Sequence, residues 1–313
     1  MLTPAPRVAL GERVIEALRS GRTAGVADLP AADAEEDAQL TLWTLYELHH
    51  RGFDDVDDAL EWDPQLIALR RRLEADLEQQ LRGQAPEPPA RGDFAEDFFA
   101  AIAGHDGPSA AAHLQRGATT EQALQFLRHK SIYTLKESDH TTWTIPRLSY
   151  PVKAAVVELQ YDEYGGGNPH RLHANLFAKG LAASGLDAAY GAYIDEAPLP
   201  VLVQNNVMSL FGLNRRLRAA SLGFLAAFEA TSSAPSRRIA RGLQRLGFPP
   251  EMIEYYTEHV EADAVHEQLA VRTVCGTLLE DEPEQYGDIH FGAWACLHVE
   301  DLYGEHILEE WSE

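Results

Sequence analysis

The stretch Glu258-His259-Val260-Glu261-Ala262-Asp263-Ala264-Val265-His266-Glu267 constrains the fold more than any other. His259, Asp263 and His266 recur at i, i+4 and i+7, which on a helix aligns all three along one stripe. Val260, Ala264 and Val265 lie among them, so the stripe suits a bundle interior. Two imidazoles and a carboxylate on one face form a ligand set for non-haem iron or a similar divalent ion. The bland alternative is an exposed polar helix, because Glu254, Glu258, Glu261 and Glu267 share the segment. The remainder of the chain has to choose between the two.

That remainder reads as helix almost throughout. Apolar periodicity predicts helices over residues 10–19, 39–51, 64–81, 94–103, 152–164, 171–183, 236–246 and 291–311. Thr119-Thr120-Glu121 offers a cap for a helix running towards Glu137, and residues 199–228 read as one long apolar helix. The opening stripe lies in a helix over residues 250–279. Pro86, Pro88 and Pro89 mark a linker or exposed turn, and Gly165-Gly166-Gly167-Asn168-Pro169 a break or bend. No alternating strand and no internal repeat is found, so the expected class is all-α.

The formal charge of −23 opposes phosphate backbones and anionic lipid, so neither nucleic acid nor membrane is an expected partner. Cys275 and Cys296 are too few for a disulfide framework. The first residues lack a basic and apolar leader, and no run reaches membrane-spanning length. A cytoplasmic protein is expected.

Further ligand types sit on other apolar segments. Glu229 closes Phe224-Leu225-Ala226-Ala227-Phe228, where a carboxylate is costly unless paired or bound to a cation. Glu137 follows Leu135-Lys136, Glu158 and Glu163 lie in the helix over 152–164, and His170 and His173 follow the glycines. Carboxylates and histidines converging from separate helices are how bundles assemble carboxylate-bridged di-metal centres. A pair of Glu-x-x-His motifs is absent; Glu137-Ser138-Asp139-His140 is a single match.

Taken in order, Glu137, Glu163, His173, Glu229, His259, Asp263 and His266 resemble the ligand series of the haem-oxygenase-like diiron oxidases and oxygenases. The local matches are Leu135-Lys136-Glu137, Asp162-Glu163-Tyr164-Gly165-Gly166-Gly167, His173-Ala174-Asn175-Leu176-Phe177, Phe228-Glu229-Ala230-Thr231-Ser232-Ser233 and the opening stripe. The resemblance spans roughly residues 119–313. It implies a haem-oxygenase-like helical bundle over 116–313, preceded by an N-terminal helical accessory region over 1–115. Leu45-Tyr46-Glu47-Leu48-His49-His50-Arg51-Gly52-Phe53 resembles a part of that region that supports dimerisation in some members, so a homodimer is expected.

The resemblance further implies two iron ions held by those seven residues, with O2 as co-substrate activated through a peroxo-bridged species. Its activities include N-oxygenation of amines and oxidative C–C cleavage or decarboxylation of amino acids or fatty acids. N-oxygenation of a small amine or amino acid is the favoured reaction, with an external electron donor as a further partner. A compact polar pocket with an Arg would suit an amino acid, and a long apolar tunnel a fatty acid. The non-enzymatic alternative is a helical metal-binding or interaction protein.

For individual residues, the family's His-x-x-Leu-Phe pattern selects His173 over His170. The competing role for Glu163 and Glu229 is a buried salt bridge to Arg237 or Arg238. His140 is expected to face solvent, and His49-His50 to be structural, because adjacent residues point to different helix faces. The three glycines are expected to distort the chain so that His173 reaches the metals; with no preceding strand they are not a phosphate cradle. Trp143, Tyr164, Met208 and Phe211 are expected to be core.

Overall fold

Local signals in the chain start several of its helices. Asp63 accepts from the backbone N–H groups of Gln65 and Leu66 and so caps a helix opened by Pro64. Thr119 and Gln122 form a reciprocal capping box. In the computed structural model, which describes residues 1–312 with the side chains of 261–265 outside the described set, no strand occurs among the described residues. The helices are α1 (Ala9–Ser20), α2 (Glu35–Glu47), α3 (Pro64–Gln84), α4 (Phe94–Ala103), α5 (Ala110–Arg116), α6 (Thr120–Thr134) and α7 (Asp139–Thr142). They continue as α8 (Tyr150–Glu163), α9 (His173–Ala183), α10 (Leu199–Leu213), α11 (Arg218–Leu246), α12 (Pro250–Gln268), α13 (Gly276–Asp281) and α14 (Tyr286–Glu310). None of the described helices is long and apolar enough to cross a membrane.

The all-α expectation holds: the described residues form a helical bundle. Its axis is α11, which packs against α5, α12 and α14. Two apolar clusters flank that axis. One joins Leu10, Val14 and Leu18 of α1 to Leu69 of α3, Val156 of α8, Phe211 of α10, Ala226 of α11 and Val299 of α14. The other joins Phe126, Phe177, Leu243, Met252 and Ile307. Helix α2 supplies Leu42 and Leu45 to the first and Leu40 and Trp43 to the second, so it is apolar on opposite faces. Each fully buried Leu or Phe contributes about 1.5–3 kcal/mol. The stretch 45–53 is largely interior: Leu45, Tyr46, Glu47, His49 and Phe53 are buried, and Arg51 is its exposed member.

Four helix boundaries differ from the sequence pattern. The apolar run over 199–228 is broken at Asn214, whose side chain donates to the Leu210 carbonyl, while the Arg147 guanidinium takes the carbonyls of Gly212 and Leu213. Conversely, α11 continues through Pro235. An interior proline costs about 3 kcal/mol, and packing on three neighbouring helices holds the segment straight enough to continue. Helix α6 ends at Thr134, short of Glu137. Past α12, Leu269–Cys275 is a π-helical segment, a widened turn of the kind that accumulates at functional sites.

Candidate metal centre

Five pieces of chain deliver the candidate ligands. On α8, Val152, Val156, Leu159 and Glu163 recur at helical spacing and are all buried, so packing of the first three carries Glu163 into the core. On α11, Leu222, Ala226 and Glu229 do the same, and on α12 so do Met252, Tyr255, His259 and His266. Glu137 comes from the turn after α6. That turn closes at Ser138, the one non-glycine residue of positive φ among the described residues (φ 70°). Its left-handed backbone is strained, as functional sites often are. There the Ser138 carbonyl accepts from the Gln160 amide and its hydroxyl donates to Glu163 Oε2 at 3.2 Å.

His173 depends on the glycines. Gly165 has φ 72°, and a Cβ there would lie 2.5 Å from the Leu172 nitrogen. Only glycine lets the chain fold back this closely, so that α9 begins with His173 inside the bundle. His170, three residues earlier, is exposed.

The side chains meet in two groups: Glu137, Glu163, His173 and His259, and Glu163, Glu229 and His266. Within each group the ligand atoms lie within 4.8 Å of one another. Glu163 belongs to both. Its Oε2 is 3.0 Å from His173 Nδ1 and its Oε1 is 3.4 Å from His266 Nδ1. His266 Nδ1 is also 3.6 Å from Glu229 Oε2, and His259 Nε2 is 3.5 Å from Glu137 Oε1. All six side chains are buried. Asp263, the seventh residue of the expected series, has its side chain outside the described residues.

Neighbouring groups aim these ligands. The Tyr255 carbonyl lies 2.7 Å from His259 Nδ1. A carbonyl can only accept, so Nδ1 carries the proton and Nε2 turns its lone pair towards Glu137. The Tyr255 hydroxyl donates to both oxygens of Glu137 at 3.0 and 3.1 Å. Asp162 Oδ2 lies 3.4 Å from His266 Nε2, leaving Nδ1 to face Glu163 and Glu229. Tyr255, Ser138 and Asp162 were not anticipated from sequence. Tyr255 was within reach, since it precedes His259 by one helical turn on the same stripe.

Electrostatics shows what the cluster lacks. Burial disfavours a charged His266, yet Glu163 and Glu229 outweigh it and push the imidazole up to about 11. Burial likewise opposes charge on His173, and Glu163 beside it wins, raising it. Glu163 is held below the usual carboxylate range: burial works against this, but His173 and His266 dominate. Among the described residues, the ion pairs of Glu137, Glu163 and Glu229 are all with histidine. Arg237 and Arg238, the alternative partners, form none of them. Three buried carboxylates facing imidazole nitrogens, without Lys or Arg in those pairs, are expensive. His173 Nδ1 and His266 Nδ1 also lack an aligned hydrogen bond. Divalent cations among these atoms would remove both penalties, so the residues present fit a metal centre.

One expectation is overturned nearby. His140 is buried, not solvent-facing. Its turn is covered by α10, where Gly212 approaches so closely that a Cβ would sit 2.3 Å from the His140 carbonyl oxygen. The His140 ring lies 5.0 Å from the His50 ring. His49 is buried too, 3.4 Å from Glu61 Oε1. Met208 and Phe211 border a small void of about 30 Å³ beside Tyr133 and His140. A larger cavity of about 610 Å³ has Glu137 and His259 in its lining.

A family model described as "Iron-containing redox enzyme" matches residues 124–301, more than half of the chain. Two crystal structures of a CADD-like protein of unknown function from Nostoc punctiforme share the fold. One aligns with TM-score 0.52 at 16% identity, covering 76% of this chain and 97% of that one. The other gives 0.51 at 16%, covering 76% and 95%. No curated protein matches the chain.

Proposed function

Because the chain belongs to the iron-containing redox enzyme family, we propose that it is an O2-dependent non-haem diiron oxidase or oxygenase. The observation that carries this reading is the sharing of Glu163 between two groups of ligand atoms. Glu137, His173 and His259 would hold one iron, Glu229 and His266 the other, and Glu163 both. Asp263 is the seventh expected ligand, on its spacing and the family resemblance. Bound iron would supply a place for O2 to be reduced, and the carboxylates would offset its charge.

The surrounding residues prepare that site. The Tyr255 carbonyl fixes the tautomer of His259, and the Tyr255 hydroxyl orients Glu137. Asp162 does the corresponding work for His266. Burial keeps bulk water away from the ligand atoms, while the cavity beside Glu137 and His259 gives an organic molecule an approach.

For the reaction itself, we favour N-oxygenation of a small amine or amino acid. Written in balance, R–NH2, O2, two electrons and two protons give R–NHOH and water. The electrons come from an external donor. Oxidative C–C cleavage or decarboxylation is the second reading, supported by the aromatic and aliphatic side chains that line much of the cavity.

The test is anaerobic loading with Fe(II), metal quantification, and rapid mixing with O2 while the visible spectrum is followed. Two irons per chain and a transient visible band are expected. Absence of iron uptake, or iron without O2 chemistry, would leave a helical scaffold that keeps the ligand types alone.

A further inference from the structure

We infer that the cavity opening on Glu137 and His259 takes an elongated organic carboxylate, anchored at its outer end by Arg238 and oxidised at the end remote from the carboxylate. The oxidation rests on the diiron reading, with O2 as oxidant: R–NH2 at the remote end, O2, two protons and two electrons from the external donor give R–NHOH and water; the binding does not rest on it. At about 610 Å³ the cavity has the size of a small-molecule site.

Helix α11 sets its length. Glu229 lies at the metal centre, and from there Thr231, Pro235, Ser236 and Arg238 follow along the cavity wall. Nine helical steps separate Glu229 from Arg238, a rise of roughly 13 Å. A molecule spanning that wall keeps its anchored end well away from the metal ligands.

Charge sets its direction. Of the cationic side chains on the wall, Lys130 pairs with Glu300 at 3.2 Å and lies over the Tyr303 ring, and His105 pairs with Asp301 at 3.0 Å. Arg238 has no ion pair or hydrogen bond among the described residues, and it is exposed. Its planar fork therefore stands solvated at the outer part of the wall, matched in geometry to a carboxylate. At the inner end Glu137, on the cavity wall, repels one. Between the ends the wall is aromatic, with Phe126, Tyr133, Phe228 and Tyr255.

The probes are phenylbutyrate and its neutral amide phenylbutyramide, titrated calorimetrically into the full chain stripped of metal. Phenylbutyrate should bind the tighter of the two. Arg238→Gln should weaken it about tenfold, the size of one exposed charge-assisted contact, while leaving the amide unchanged. Arg238→Lys should fall between, and Arg237→Gln, on the exposed neighbour, should match the native chain. Equal binding of the two probes, or an Arg238→Gln chain that binds phenylbutyrate as the native one does, would overturn the site. Arg238-dependent binding in a chain that takes up no iron would keep this site and remove the diiron reading. Two irons per chain with undiscriminated probes would do the reverse.

Discussion

Two buried polar clusters sit one residue apart in this chain, and they are built on opposite principles. Lys136 turns into a cluster that neutralises itself: its ammonium pairs with Glu47, whose other oxygen accepts from the Tyr190 hydroxyl at 2.7 Å. Glu47 is held low there, burial opposing and Lys136 prevailing. Glu137 turns into the candidate metal centre, where carboxylates meet only imidazoles in their ion pairs among the described residues. Histidines respond accordingly. Carboxylates push His266 up to about 11, whereas burial, reinforced by Lys136, pushes His50 down to about 4. A cluster closed within the protein serves stability. One left short of positive charge is arranged for a cation from outside.

The largest effect should come from breaking the shared member. Glu163→Ala is expected to reduce iron uptake from two per chain to less than one, because both groups lose a ligand. Quantified anaerobic Fe(II) titration reads this, and retention of two irons would show that the groups do not depend on a common carboxylate. By contrast, Glu137→Gln should lower iron uptake yet leave the urea stability of the iron-free chain unchanged or about 1 kcal/mol higher, since it removes a buried charge and keeps an acceptor for Tyr255.

Next comes the self-neutralised cluster. Lys136→Met should destabilise the chain by about 3–5 kcal/mol by stranding Glu47, and adding Glu47→Gln should recover most of the loss. Urea unfolding of the single and double variants measures it. A single-variant cost below about 1 kcal/mol would mean the pair is not what holds the cluster. Smaller still is Gly165→Ala, expected to cost about 1–3 kcal/mol from the left-handed backbone and the contact with Leu172. It should also loosen His173, so iron uptake should drop towards one per chain.

A further effect, spread over a pH range, is a slope in stability. Burial depresses His49, His50 and His129 to about 4, against an ordinary value of 6.5. The unfolded chain therefore takes up protons first as pH falls, and stability should decline between pH 6.5 and about 4. The sign is that of groups held neutral in the fold. His50→Phe should flatten the slope by about one proton in urea midpoints measured across that range; an unchanged slope would place the depressed pKa elsewhere.

How much of this was legible beforehand differs by residue. Glu229 declared itself because a carboxylate among Leu, Ala and Phe is costly in any fold. His259 and His266 declared themselves by helical spacing. His140 did not: Asp139-His140-Thr141-Thr142 is locally polar, and only the close approach of α10 at Gly212 buries it. Pro235 also misled, because local propensity predicts a helix end where packing against α5, α12 and α14 continues the helix.

By itself, then, the sequence determined the helical class, the residue types of the centre and the segments that carry them, since periodicity and the cost of burying charge act locally. Which carboxylate lies between the two groups, and that Tyr255, Ser138 and Asp162 aim their neighbours, was decided only by the tertiary structure. So was the separation of Lys136 from Glu137 into unlike clusters. Those relations depend on atoms far apart in the chain, brought within a few ångströms by the packing of α8, α11 and α12.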